Sequence, residues 1–109
     1  AKTMGSASAE AFTRLYMAPG VQHCSGGPGP DSFGGPGDWS SDLPSHNLRA
    51  ALVEWVEKGT APGAVVATKY GGDGADRKAT MTRPLCPHPQ EAKYKGTGDV
   101  NAASSFECR

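Results

Sequence analysis

The sequence predicts an α/β chain, rich in loop and thin in core. Three observations lead there: an alternating apolar segment near residue 12, a stretch of helical periodicity near residue 48, and a short β-branched run near residue 65. Long glycine- and proline-bearing connections separate them.

The first element is "FTRLYMAP", where Phe12, Arg14 and Tyr16 alternate with Thr13, Leu15 and Met17 until Pro19 and Gly20 stop the run. A strand is expected over about 12–18. The small residues before it, "AKTMGSASAEAF", read as part of a helix. From Pro19 to about Pro44 glycine and proline recur without periodicity, a loop of the length that is usually functional or disordered. In "SHNLRAALVEWVEKG", Leu48, Ala51, Leu52, Trp55 and Val56 share one face, so a helix is expected over about 45–58. Ser45 is its expected N-cap, with Asp42 before Pro44 as an earlier start, and Lys58 and Gly59 suit its C-terminus. "AVVATKY" gives a strand over about 64–70, and "GGDGADRKA" a polar turn. Pro84, Pro87 and Pro89 favour an extended path without a ladder in the tail.

Bulk properties exclude some functions. The chain has 109 residues with 15 Gly and 9 Pro, and its 11 basic residues balance 11 acidic ones. Such a chain has no electrostatic footprint for nucleic acid or an anionic membrane. No apolar run approaches the roughly 20 residues of a spanning helix, and nothing at the start reads as a signal peptide. The start at Ala1 leads us to expect a processed or excised piece.

Three cysteines make an odd count. Cys86 and Cys108 enclose a tail with little apolar surface to bury, which a disulfide would hold down by about 3 kcal/mol. They are the expected pair, and Cys24 is left over beside His23.

His23 follows a strand end and a Pro-Gly turn, and "GGPGP" after it forms a backbone that other segments can approach closely. The ordinary reading of a lone loop histidine is a polar residue without chemistry. The setting favours another one, because α/β hydrolases place their general base on the loop after a late strand, in the order Ser, Asp or Glu, then His. That order puts the nucleophile and the acid before residue 1, and the chain has no "GxSxG" elbow. "GGPGP" itself fails as a phosphate loop, since no Gly-Lys-Ser/Thr follows and Pro28 and Pro30 lack amide donors. His23, Cys24, Cys86 and His88 could supply four zinc ligands, but the 23–24 and 86–88 spacings are too tight for a common structural site. Asp31, Asp38 and Asp42 follow His23 closely, and acidic residues in a glycine-rich loop are normally solvated.

The strings "FTRLYMAPGVQHCSGGPGP", "LRAALVEWVEKGTAPGAVVATK" and "TRPLCPHPQEAKYKGTGDVNAASSFEC" resemble, in order, the C-terminal end of the tannase and feruloyl esterase family of serine esterases. The resemblance implies the C-terminal portion of an α/β-hydrolase fold, with nucleophile, acid and lid domain upstream. It implies that His23 is the general base and that Cys24 pairs with a cysteine beside the upstream catalytic serine. It further implies esters of phenolic acids as substrates, and a calcium ion in the upstream lid domain but no cofactor in these residues.

Residues 1–109 are thus expected to be one segment of a secreted or periplasmic esterase, inactive alone, whose partner is the upstream part of the same enzyme or a separate subunit. The competing reading is a stand-alone binding module that uses the glycine-proline loop as its contact surface.

Overall fold

A computed structural model describes residues 8–9, 11–23, 25–35, 38–72 and 74–109. Its elements are helix α1 (Leu48–Lys58), strands β1 (Val65–Gly71) and β2 (Lys78–Leu85), and the short strands β3 (Ala92–Tyr94) and β4 (Phe106–Cys108). Short 3₁₀ turns lie at Gly74–Asp76 and Ala103–Ser105.

The antiparallel hairpin β1–β2 is the organising unit, running from the pair Val65–Leu85 to the pair Gly71–Lys78. Side chains alternate across a strand, and Val65, Ala67 and Leu85 form the buried face. The outer edge of β1 is used by the loop that precedes the helix. Ser32 and Thr68 exchange N–H to O bonds of 3.0 and 2.9 Å, and the Val66 amide donates to the Ser45 carbonyl at 2.7 Å. Among the described residues Val65 is the only large side chain that is fully buried, so the core is thin.

Helix α1 starts two residues later than Ser45 would place it. Asn47 is the N-cap, its side-chain carbonyl accepting from the Ala50 amide, while the Ser45 carbonyl is taken by β1. At the other end Gly59 adopts φ 73° and its amide donates to the Trp55 carbonyl. Ala51 is buried, but Leu52 is 56% and Val56 78% exposed, so much of the apolar stripe is uncovered by this chain.

Two expectations are corrected. Residues 12–18 do not form a strand: Phe12 lies in a turn bonded back to Ala9, and the segment makes one isolated antiparallel bridge, Tyr16 to Pro87. Pro87 has no amide to continue a ladder. Leu15 and Met17 on the other side of this extended segment are 55% and 64% exposed. The tail, in contrast, does carry ladders. β2 includes Pro84, opposite Val66, at a position where the Val66 amide already points away to Ser45 and none is asked of the proline.

β3 and β4 pair antiparallel, Ala92 with Cys108 and Tyr94 with Phe106. The Cys86–Cys108 disulfide, with Cα atoms 5.6 Å apart, fastens this sheet to the end of β2. Arg83 adds a second tie: its guanidinium lies 4.3 Å from the Phe106 ring centroid and donates to the Val100 carbonyl.

Candidate active site

His23 is exposed at the tip of a tight loop whose neck is made of glycine. The Gly29 amide donates to the Gly20 carbonyl at 2.8 Å and the Gln22 amide to the Gly26 carbonyl at 3.1 Å, with the Ser25 amide returning to the His23 carbonyl at 2.8 Å. A Cβ at Gly20 would sit 2.8 Å from the Gly29 nitrogen, and one at Gly29 would overlap the Pro19 carbonyl. The neck therefore closes only because both strands of it lack side chains. The close approach that the glycines permit is made here by the backbone of the loop itself, which closes at Gly20 and Gly29.

Charged side chains fix this ring to the hairpin. Lys69 on β1 donates through Nζ to the Gly27 carbonyl at 2.8 Å and lies 3.9 Å from the Asp31 carboxylate. The same carboxylate accepts from the Gly26 amide at 2.8 Å. Asp31 is thus a structural acceptor rather than a freely solvated acid.

Asp38 is another. One of its oxygens accepts from the amides of Phe33, Gly34 and Gly35, at 3.0, 2.9 and 2.7 Å, and the other from the Ser40 amide and hydroxyl. Burial works against the charged form, but the hydrogen bonds from Ser40, Gly34 and Gly35 outweigh it and hold the carboxyl below the usual carboxylate value. The signal in the sequence was an aspartate two residues before a serine after a glycine run, an Asx-type turn. The carboxylates of Asp31 and Asp38 are engaged by these backbone and serine donors and not by the imidazole, and the ring of His23 makes no hydrogen bond among the described residues. Both ring nitrogens are available to groups outside them.

Cys24 lies outside the described residues. Cys86 is bonded to Cys108 and has no thiolate to give, so the four-ligand set of His23, Cys24, Cys86 and His88 is not assembled. Among the described residues no group of three or more His, Cys, Asp or Glu could hold a metal ion. Among the described residues no helix is long and apolar enough to cross a membrane.

Known proteins resemble this chain in sequence and in fold. The chain is 44% identical over 100 residues to mono(2-hydroxyethyl) terephthalate hydrolase of Piscinibacter sakaiensis, covering 92% of this chain and 14% of that protein. It is 35% identical to a probable feruloyl esterase B-2 of Neosartorya fischeri, covering 99% of this chain and 21% of the relative. Among solved structures, an esterase from Aspergillus oryzae superposes with a TM-score of 0.86 at 29% identity, over 99% of this chain and 21% of that one. Feruloyl esterase B from the same organism gives 0.84 at 28% identity with the same coverage. The chain therefore spans about a fifth or less of the length of these proteins. The family profile described as "Tannase and feruloyl esterase" matches residues 1–109, and a match over that whole range makes the chain a member of the tannase and feruloyl esterase family.

Proposed function

We propose that this chain is the C-terminal segment of a serine carboxylic-ester hydrolase of α/β-hydrolase fold, and that His23 is its general base. The observation that carries this reading is an exposed imidazole whose ring makes no hydrogen bond among the described residues, held at the tip of a glycine-locked loop in a chain that the family profile matches from end to end. A general base must reach its proton from a defined position, and the closed neck supplies one.

In this mechanism His23 takes the proton of a serine hydroxyl on the rest of the enzyme as that oxygen attacks the ester carbonyl. It then protonates the leaving alcohol, and the same two transfers with water release the acid. An upstream aspartate holds the other ring nitrogen. The acyl part of the substrate is a phenolic or related aromatic acid, a class suggested by the names feruloyl esterase and terephthalate hydrolase among the relatives. Cys24 pairs with a cysteine next to the serine and limits the separation of nucleophile and base.

The rest of the esterase supplies the missing cover. Leu15 and Met17 on one side and Leu52 and Val56 on α1 are bare apolar surface, and about four fifths of each matched A. oryzae structure is polypeptide outside the superposed region. The Cα radius of gyration, 14.6 Å against about 13 Å for a closed domain of this length, supports an open piece rather than a finished one. The disulfide suits a secreted or periplasmic enzyme.

The test is hydrolysis of a chromogenic phenolic ester by the chain alone and by the chain joined to its upstream sequence. Activity is expected only in the longer protein, with a loss of about 10³-fold on His23→Ala. A His23→Ala enzyme that keeps its rate removes His23 from the mechanism, and an active isolated chain removes the need for a partner.

A further inference from the structure

We infer that Lys69, acting with Asp31, is a positioning residue for His23, an inference that rests on the reading of His23 as the base. The pair holds one dipeptide from both ends. Asp31 Oδ2 accepts from the Gly26 amide at 2.8 Å, and Lys69 Nζ donates to the Gly27 carbonyl at 2.8 Å, while ammonium and carboxylate face each other at 3.9 Å. Gly26 in turn receives the amide of Gln22, the residue before the histidine. The path from β1 to the imidazole is thus Lys69, Gly27 and Gly26, Gln22, His23.

The position of Lys69 explains why it can act as a fixed point. Its neighbour Thr68 is buried and exchanges two backbone hydrogen bonds with Ser32, the residue after Asp31. Both members of the charged pair therefore stand next to the same bridge. Their side chains are 27% and 20% exposed, so the pair is screened less than a surface ion pair. The ring itself contributes closure at Gly20 and Gly29, but closure leaves the tip free to tilt about the neck. Lys69 and Asp31 hold the returning arm of the loop at Gly26 and Gly27, between the neck and the tip, and so oppose that tilt. Gly26 and Gly27, at φ of 84° and 89°, are glycines and have no side chains of their own with which to pack.

Loss of the pair should displace the imidazole without removing it. A displacement of about 1 Å from the productive position costs on the order of 10²-fold in rate. Neither side chain is assigned a contact with substrate, so the effect is expected on kcat.

The experiment uses the full-length esterase that carries this segment, with active sites counted by a fluorophosphonate that labels the serine. For Lys69→Met, kcat per labelled site is expected to fall 10- to 100-fold, roughly the range implied by a sub-ångström to 1 Å shift. KM should change less than about 3-fold, and Lys69→Arg, which keeps the charge and a donor, should restore most of the loss. Asp31→Asn should give the same signature, and the double variant should lose less than the product of the two single losses. If Lys69→Met yields no folded enzyme, Asp31→Asn decides by the same thresholds. A purely structural role would lower the number of labelled sites and leave kcat per site within about 3-fold, and that result overturns the inference. His23→Ala is run beside them: if it keeps its rate, the reading of the base fails, whereas an inactive His23→Ala with unchanged Lys69 and Asp31 variants sinks the positioning role alone.

Discussion

The Tyr16 hydroxyl donates to the Gly63 carbonyl at 2.6 Å, joining segments 47 residues apart in sequence. This bond and the Arg14 guanidinium, 4.9 Å from the centroid of the Trp55 ring, set how residues 13–18 lie against the helix and its exit. The chain then turns at Pro19 into the histidine loop, so the direction of entry is fixed before the glycine neck begins.

Tyr16→Phe removes that bond and should cost about 1 kcal/mol in urea unfolding of the chain. It should also change the alkaline limb. Burial pushes the Tyr16 hydroxyl above its ordinary value of 10.0, with the Arg14 charge acting the other way. Between the unfolded and the folded pKa the folded state holds more protons, so stability falls as pH rises above about 10. The phenylalanine variant should show a shallower decline over the same range.

Asp38→Ala should cost about 2 kcal/mol, because five donors on Phe33, Gly34, Gly35 and Ser40 lose a charged acceptor. The carboxyl is held below its ordinary 3.8, so its contribution is complete above that value and lost as pH falls through the lower folded pKa. Acid titration followed by Trp39 fluorescence should show the alanine variant losing less of its stability between pH 4 and pH 2, a window set by the usual Asp pKa of about 3.9.

Replacing Cys86 and Cys108 by serine opens a loop of sequence separation 22 and should destabilise the chain by about 3 kcal/mol. Hydrogen exchange localises the effect. The amides of β3 and β4 should lose protection first, while those of Ala67 and Thr68 in the hairpin keep theirs.

Gly29→Ala forces a methyl group into the Pro19 carbonyl and should cost at least about 2 kcal/mol or open the neck of the loop. Gly63→Ala is the matched control: its Cβ meets nothing within 4 Å, and its effect should stay within about 0.5 kcal/mol. If His23 is the base as proposed, the first variant should lower kcat in a longer esterase that carries this segment and the second leave it unchanged.

Helix α1 was legible because its periodicity is local, Leu48 to Val56 on one face, and the β-branched pair Val65 and Val66 marked β1 for the same reason. Its cap was not legible, since the choice of Asn47 over Ser45 depends on β1 claiming the Ser45 carbonyl. The strand expected at 12–18 has the right alternation, yet alternation states only that a segment is extended; its ladder depends on a neighbour, and here that neighbour is Pro87. β2 was missed because Pro84 reads as a breaker until the edge it faces is known. The position of His23 after a Pro-Gly turn was visible, whereas its tether to Lys69 was not, because nothing in a sequence signals a bond across 42 residues.

The bridge between Ser32 and Thr68 insulates the histidine loop from the chain on its C-terminal side. A change in chain length after Asp38 is absorbed before it can reach Gly20–Gly29, since the buried bridge and the Asp31 contacts lie between. Asp42 and Leu43, both exposed, are where such a change meets least resistance. Lengthening a loop costs little entropy, about 0.6 kcal/mol per doubling. The segment can therefore vary, or accept an inserted peptide, as a part that is structurally separable from the histidine loop.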